Sequence, residues 1–160
     1  MKAKTEREAA QKNIAENRKA FHDYHILESF EAGIVLVGTE VKSIREGAVN
    51  LRDSFARIEA GEIWLYNVQI NPYSHRGYSD HEPTRRRKLL LRRQEIRKLI
   101  GKTTERGMTL VPTRMYFHNG HVKVAIGLAK GKKAHDKRET IKRREADRET
   151  RAAVKERRSR

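Results

Sequence analysis

Alternating apolar positions on both sides of Asn119-Gly120 predict a β-hairpin. This dipeptide supplies the positive φ angles of a type I′ turn, the two-residue turn that suits twisted antiparallel strands. With these two residues as the loop, the apolar residues pair across the ribbon and share one face, as the two-residue period of a strand requires. The predicted pairs are His118–His121, Phe117–Val122, Met115–Val124 and Val111–Leu128.

Two other stretches of the chain alternate in the same way. The first places Trp64, Tyr66, Val68 and Ile70 on one face of a single strand, and we expect Ala60-Gly61 to turn it back onto the preceding segment. The second runs from about residue 24 to residue 37, and its interior Gly33 predicts a bulge or bend. Its apolar residues in phase are Tyr24, Ile26, Phe30, Ile34 and Leu36.

Two segments between the strands have helical spacing. The first is residues 40–46, capped by Thr39 and ended by Gly47, and the second runs from Arg92 to about residue 104. The apolar positions that define these helices are Val41, Ile44, Ile96, Leu99 and Ile100. About six short strands with two to three short helices predict a β-rich α+β fold, a closed or nearly closed barrel of the oligonucleotide-binding (OB) type.

Both ends of the chain are polar. Residues 1–16 are polar all round, which predicts a frayed helix or a disordered extension. Residues 130–160 contain 14 Lys or Arg and 6 Asp or Glu, with two large aliphatic residues, Ile141 and Val154. Such a segment cannot offset an ordering cost of about 1–2 kcal/mol per residue by burying apolar surface. It has good helix formers and no proline from about residue 138 to 157. We therefore expect a basic tail, disordered when free and helical when bound, after a core at 17–129.

The charge of the whole chain indicates a polyanionic partner. The formal net charge is +16 over 160 residues and the isoelectric point is about 10.4. Folding gains nothing from such self-repulsion, so RNA, DNA or an anionic membrane is the expected partner. No segment approaches the roughly 18 apolar residues of a spanning helix, which disfavours the membrane. The absence of cysteine excludes disulfides and thiolate metal sites. We expect a cytoplasmic protein without metal or other cofactor.

Catalytic motifs are absent from the sequence. Seven histidines occur, including His22, His25, His75 and His81, but none has the His-Glu-x-x-His spacing of a zinc site. Neither a Gly-x-Ser-x-Gly nucleophile elbow nor a Gly-rich phosphate loop can be found. The sequence therefore predicts that the protein is not an enzyme.

Basic clusters point instead to RNA. Arg85-Arg86-Arg87-Lys88 precedes three leucines. The segment is either a strand or helix entry whose leucines pack while its cations face RNA phosphate, or an ordinary positive surface loop. Several neutralised phosphates together give tight, salt-sensitive binding. Glu31, on the other strand face from Glu28, could accept hydrogen bonds from base amino groups or orient neighbouring cations. The candidate residues for phosphate contact and base stacking are Lys42, Arg45, Arg52, Lys130, Lys132, Lys133, His22, Tyr24 and Tyr73.

An ordered series of short motifs resembles the SsrA-binding protein family, also called small protein B. The resemblance covers residues 14 to 150 and is specific because the motifs keep the family's order and spacing. The motifs are Asn17-Arg18-Lys19-Ala20, His22-Asp23-Tyr24, Glu31-Ala32-Gly33-Ile34, residues 38–45, Asn50-Leu51, Ile70-Asn71-Pro72-Tyr73, Arg87-Lys88-Leu89-Leu90-Leu91, residues 129–133 and His135-Asp136-Lys137-Arg138. The loop from residue 75 to residue 82 is less family-like.

This resemblance implies an OB-type barrel that binds the transfer-RNA-like domain of transfer-messenger RNA (tmRNA) and enters stalled ribosomes for trans-translation. The tail would fold in the empty messenger channel near the decoding centre. From the clusters and the resemblance together, the expected RNA-binding residues are His22, Tyr24, Glu31, Lys42, Arg45, Asn50, Arg52, Lys88, Leu91, Lys130, Lys132 and Lys133. The ribosome-engaging residues that the resemblance implies are His135, Asp136, Lys137 and Arg138. A ribosomal or ribosome-assembly protein with the same barrel is the alternative. We expect a monomer when free.

Overall fold

The computed structural model describes residues 11–73, 81–105, 107–132 and 134–158. Strands dominate the core, short helices connect them, and one long helix ends the chain. In chain order the elements are β1 (Gln11–Glu16), α1 (Arg18–Asp23), β2 (Tyr24–Ile34), α2 (Gly38–Arg45), β3 (Val49–Asn50), β4 (Phe55–Glu59), β5 (Glu62–Tyr66), β6 (Gln69–Ile70), β7 (Arg87–Leu90), α3 (Arg93–Thr103), β8 (Met108–His118), β9 (His121–Gly131) and α4 (Ala134–Arg158). The β-rich fold class is as predicted.

Seven strands form one antiparallel sheet in the order β1-β8-β4-β5-β7-β2-β9, and β8 also pairs with β9. The pairing therefore runs from β8 through five further strands and back to β8, and β1 is an additional strand that pairs with β8. A separate two-stranded sheet joins β3 to β6. The main sheet extends beyond the predicted core at both ends, because β1 contributes residues 11–16 and β9 continues to Gly131.

The predicted hairpin is present as β8 and β9. Asn119 and Gly120 have φ angles of 50° and 78°, and three of the four predicted pairs are confirmed. The fourth is wrong: Val111 faces Gly127, and Leu128 faces Leu110. A bulge between Pro112 and Arg114 adds one residue to β8, which reverses the side-chain phase beyond it. Leu110 therefore enters the main core, while Val111 packs in a small cluster with Ala20 and Ala129.

The strand predicted from Trp64 to Ile70 is two strands with opposite phases. Ile63 and Leu65 are buried in β5, whereas Val68 and Ile70 are buried after it. Asn67 separates them with a φ of 62°, a left-handed conformation that interrupts the alternation. The prediction that Trp64 and Tyr66 share a face with Val68 and Ile70 is therefore wrong.

Strand β2 ends at Ile34 rather than Val37, and its irregularity lies between Ile26 and Glu28 rather than at Gly33. Leu27, within this irregular segment, has an exposed side chain. Gly33 is instead the position where β2 pairs on both edges, with Lys123 of β9 and Leu90 of β7.

The helices differ from the prediction mainly at their starts. Helix α2 begins at Gly38, and the Glu40 carboxylate accepts the Val37 backbone N–H at 3.0 Å, so Thr39 is not its cap. Residues 11–16, predicted as a frayed helix or disorder, form strand β1 because they pair with β8. Helix α1 was not predicted; its cap is Asn17, whose side chain accepts from the Ala20 N–H at 3.2 Å.

The core lies between the sheet and helices α2 and α3, which contribute Ile44 and Leu99. The residues predicted as a helix-forming tail are helical in the structure over 134–158. Ile141 and Val154 in this helix are exposed. No helix among the described residues is long and apolar enough to cross a membrane.

Candidate nucleic-acid interface

Four of the predicted RNA-binding residues meet where α1, the start of β2 and the end of β9 come together. Tyr24 pairs with Gly131 across the sheet, so His22 and Lys132 lie at the same end. Lys132 donates its Nζ to the Phe21 carbonyl at 3.0 Å and its backbone N–H to the Asp23 carbonyl at 2.9 Å. Lys130, opposite His25 on β2, is exposed. These contacts join three elements into one basic edge.

Buried Asn17 fixes this edge to the sheet. Its side-chain amide donates to the Pro112 carbonyl at 2.8 Å, and its backbone N–H donates to the Thr113 carbonyl at 2.8 Å. Because the same side chain caps α1, it ties the helix to the bulge of β8. The cap preference of asparagine is the sequence signal that could have identified α1.

A cleft of about 250 Å³ opens beside α1. Lys19 forms an ion pair with Asp53 across it, which connects α1 to the segment before β4. Next to Asp53, the Asn50 side chain accepts the Arg52 backbone N–H at 2.9 Å, and the Arg52 guanidinium is exposed. The lining residues are Asn17, Lys19, Ala20, Asp23, Tyr24, Asp53, Ser54, Phe55, Thr109 and Val111. Tyr24 thus both lines this cleft and packs on the small cluster around Val111.

Helix α2 presents a further cationic face. Lys42 and Arg45 are exposed, and the Lys42 ammonium lies 5.4 Å from the centre of the Tyr73 ring. The Asn71 N–H donates to the Ala48 carbonyl at 3.0 Å, which holds the segment carrying Tyr73 against the end of α2. A cation beside a half-buried ring has the chemistry for both phosphate contact and base stacking.

Glu31 occupies a different part of the sheet. It pairs with Ala125 of β9, and its Oε2 accepts the Tyr116 hydroxyl at 2.5 Å. His118 places Nδ1 3.7 Å from the other carboxylate oxygen. Leu91 follows β7 close to this region, since Leu90 faces Gly33, and its half-buried side chain packs on the main core.

In the cluster Arg85–Lys88, Arg86 is exposed and Lys88 is half-buried, but Arg87 does not face outward as predicted. Arg87 is fully buried and its Nε donates to Glu40, which is also fully buried. Arg85 donates to the other Glu40 oxygen at 2.5 Å. Arg86 lies over the Trp64 ring at 4.2 Å and contacts Glu59 at 3.1 Å, while Lys88 pairs with Glu62 at 2.9 Å. All four cations thus have partners inside the protein.

The electrostatics of Glu40 follow from this arrangement. Burial raises the pKa of its carboxyl, but hydrogen bonds from Val37, Arg85 and Arg87, with the charge of Arg87, outweigh burial. The pKa is therefore held below its ordinary value of 4.5, and Glu40 is ionised at neutral pH.

Lys133 and most of the loop from residue 75 to 82 lie outside the described residues. His135, Asp136 and Lys137 belong to the first turns of α4, although their side chains also lie outside the description. Arg138 in the same helix is exposed. Among the described residues, no group of three His, Asp or Glu side chains is arranged to hold a metal ion.

A family model described as SmpB protein matches residues 14–156 of this chain. The SsrA-binding protein of Carboxydothermus hydrogenoformans is 60% identical over 147 residues, which are 92% of this chain and 99% of that protein. The SsrA-binding protein of Geobacillus kaustophilus is 59% identical over 146 residues, covering 91% of this chain and 94% of that protein. A solved structure described as "tmRNA-SmpB: a journey to the center of the bacterial ribosome" has a TM-score of 0.65 and 52% identity, covering 79% of this chain and 93% of that chain.

Proposed function

The chain belongs to the SmpB protein family, and from this premise we propose that it binds the transfer-RNA-like domain of tmRNA and delivers it to stalled ribosomes for trans-translation. The observation that carries this function is the 52% identity to a tmRNA-SmpB structure on the bacterial ribosome over 79% of the chain. The partners are therefore tmRNA and the stalled ribosome, without a membrane. The protein acts by binding, not by catalysis, without a cofactor, in the cytoplasm and as a monomer when free.

The barrel of this protein is of the closed OB type. The return of the strand pairings from β9 to β8 supports closure, and Gly33 and the irregular segment around Leu27 let β2 curve between β7 and β9. OB barrels commonly bind oligonucleotides on a strand face and its flanking loops.

The RNA face combines three types of contact. Lys42, Arg45, Arg52 and Lys130 are exposed cations that neutralise phosphates. His22, Tyr24 and Tyr73 offer ring surfaces to unpaired bases. Glu31 and Asn50 offer polar groups that discriminate among nucleotides, and Leu91 supports the surface beside Glu31. The set further includes Lys88, Lys132 and Lys133.

The tail is the ribosome-facing part of the protein. It is disordered when free and folds as a helix in the empty messenger channel, where His135, Asp136, Lys137 and Arg138 engage the decoding region. The helix of residues 134–158 supports this assignment, because it demonstrates a helical conformation for a segment with few apolar residues.

Binding should be selective for the transfer-RNA-like fold. We expect pull-down of this protein from a bacterial lysate, followed by RNA sequencing, to enrich tmRNA far above its share of total RNA. The matched control is an equally basic ribosomal protein, which should recover ribosomal RNA in proportion to its abundance. Enrichment of bulk ribosomal RNA without tmRNA would favour a ribosomal or ribosome-assembly protein.

Removing a negative charge should weaken RNA binding if Glu31 contacts RNA or orients the groups that do. We expect Glu31→Ala to lower the affinity for the transfer-RNA-like domain about 10-fold or more, because a hydrogen bond to a charged group contributes about 1.5–3 kcal/mol. Filter-binding titrations measure this effect. Glu105→Ala is the control, since it removes the same charge from an exposed position outside the proposed RNA face. Tighter binding by both variants would mean that Glu31 acts only through net charge.

A further inference from the structure

We infer that Tyr116 is a positioning residue for RNA recognition, which holds one oxygen of Glu31 so that the other accepts a hydrogen bond from a nucleotide donor. The nucleotide group is a base amino group or a ribose 2′-hydroxyl, because a carboxylate can only accept. This inference rests on the proposed function and names the group that gives the Glu31 site its geometry.

The Tyr116 hydroxyl is well placed for this role. Tyr116 is buried, with 2% of the residue exposed, whereas the Glu31 side chain is 42% exposed, so a fixed ring supports an accessible carboxylate. The hydroxyl donates to Glu31 Oε2 at 2.5 Å. Burial, and then the hydrogen bond and negative charge of Glu31, raise the pKa of Tyr116 well above its ordinary value of 10. The hydroxyl therefore stays protonated and donating at physiological pH.

Strand β1 fixes the tyrosine from the other side. The Arg114 guanidinium lies 4.4 Å from the centre of the Tyr116 ring. It is held by the Asn13 side-chain oxygen at 3.1 Å and the Gln11 side-chain oxygen at 2.8 Å. The ring is thus fixed by packing and by a cation that is itself positioned by two amide side chains. Residues from β1 reach Glu31 through this chain of contacts.

A carboxylate held by one oxygen presents the other in a defined direction. Glu31 Oε1 has His118 Nδ1 at 3.7 Å, beyond ordinary hydrogen-bond distance, so it retains acceptor capacity. A free glutamate would lose side-chain rotamer freedom on binding RNA, and anchoring in the free protein removes part of this cost. The geometry therefore gives Glu31 one oxygen that is directed at a nucleotide donor, and this contact needs no positively charged side chain.

The test is Tyr116→Phe in the full chain, compared with Tyr66→Phe. Tyr66 forms the same kind of bond, donating to Glu59 at 2.6 Å, on the face of β4 and β5. We expect Tyr116→Phe to weaken binding of the transfer-RNA-like domain about 3- to 10-fold, the effect of one hydrogen bond, and Tyr66→Phe to leave it unchanged. Binding to unstructured RNA of equal length should be the same for all three proteins.

A double-mutant cycle separates positioning from a general structural role. In a Glu31→Ala background, Tyr116→Phe should have no further effect on affinity, because the carboxylate it positions is gone. Additive losses would overturn the inference, as would unchanged affinity of the single Tyr116→Phe variant. Failure of the wild-type protein to prefer the transfer-RNA-like domain would instead contradict the proposed function. Circular dichroism and thermal unfolding verify that each variant is folded.

Discussion

Glu40→Ala is expected to lower the free energy of unfolding by about 3–5 kcal/mol, because it removes one partner of a buried ion pair. The glutamate is fully buried, and it accepts hydrogen bonds from Arg85, Arg87 and the Val37 backbone. Alanine would leave the Arg87 guanidinium, also fully buried, without its carboxylate. It would also remove the side chain that caps the start of α2. Urea unfolding followed by circular dichroism measures the change.

The matched control is an acidic residue whose partner is exposed. Glu62 pairs with Lys88 at 2.9 Å, with side-chain exposures of 47% and 37%, so Glu62→Ala should cost no more than about 1 kcal/mol. Similar losses for the two variants would contradict a special role for the buried network.

Low pH should lower the stability of the protein by protonating Glu40. Since the pKa of Glu40 is lower in the folded state, its stabilisation is present above the unfolded pKa and is lost as pH falls through the folded value, below 4.5. The difference in stability between wild type and Glu40→Ala should therefore narrow as pH falls below 4.5.

The buried network also explains a limit of the sequence interpretation. Four consecutive cations are most simply predicted to be solvated, because buried arginine is rare without a partner. The partner of Arg87 is 47 positions away in α2, and nothing in either local pattern connects the two. The same holds for Glu31 and Tyr116, which are 85 positions apart. Local patterns contain no information about such pairs, so these contacts could not be predicted from the sequence.

The sequence predicts a turn where the turn residues themselves determine its backbone geometry. Asn119-Gly120 identified its hairpin and the register near the turn, because the positive φ angles are a property of those two residues. The predicted strand register is wrong beyond Thr113, and the predicted alternation of buried side chains is wrong beyond Asn67. At each site a backbone irregularity switches the face on which the following side chains lie, and a two-residue period does not show such an irregularity. The positions of Lys42, Arg45 and Lys130 on exposed surfaces agree with the prediction, because long cations seldom have another environment.

We expect the core and the tail to have separate functions. The basic edge around α1 is built from side chains of the core, with Lys132 as its last described residue before α4. RNA selection can therefore be complete without the terminal helix. The tail adds charge, and residues 141–158 of its helix are exposed throughout, so they bury no surface against the core.

A chain ending at residue 133 should bind the transfer-RNA-like domain within a few-fold of the full protein but should reduce tagging on stalled ribosomes to background. The reason is that the core retains the proposed RNA contacts Glu31, Lys42 and Arg52, whereas the segment proposed to fold in the empty messenger channel is gone. A reconstituted translation system with a message lacking a stop codon measures tagging directly. Normal tagging by the shortened chain would contradict the proposed role of the tail.

Substitutions at one position can separate the effect of the tail's charge on tagging from the effect of its helix formation. Ala146 lies in the interior of α4 and is exposed, so Ala146→Pro should break the helix at a cost of about 3 kcal/mol without altering the net charge. Ala146→Gln keeps both helix propensity and charge. If the tail acts by folding in the channel, the proline variant should tag far less efficiently than the glutamine variant, with equal affinity for tmRNA. Equal tagging by the two variants would mean that positive charge alone suffices, since only the ability to continue the helix differs between them.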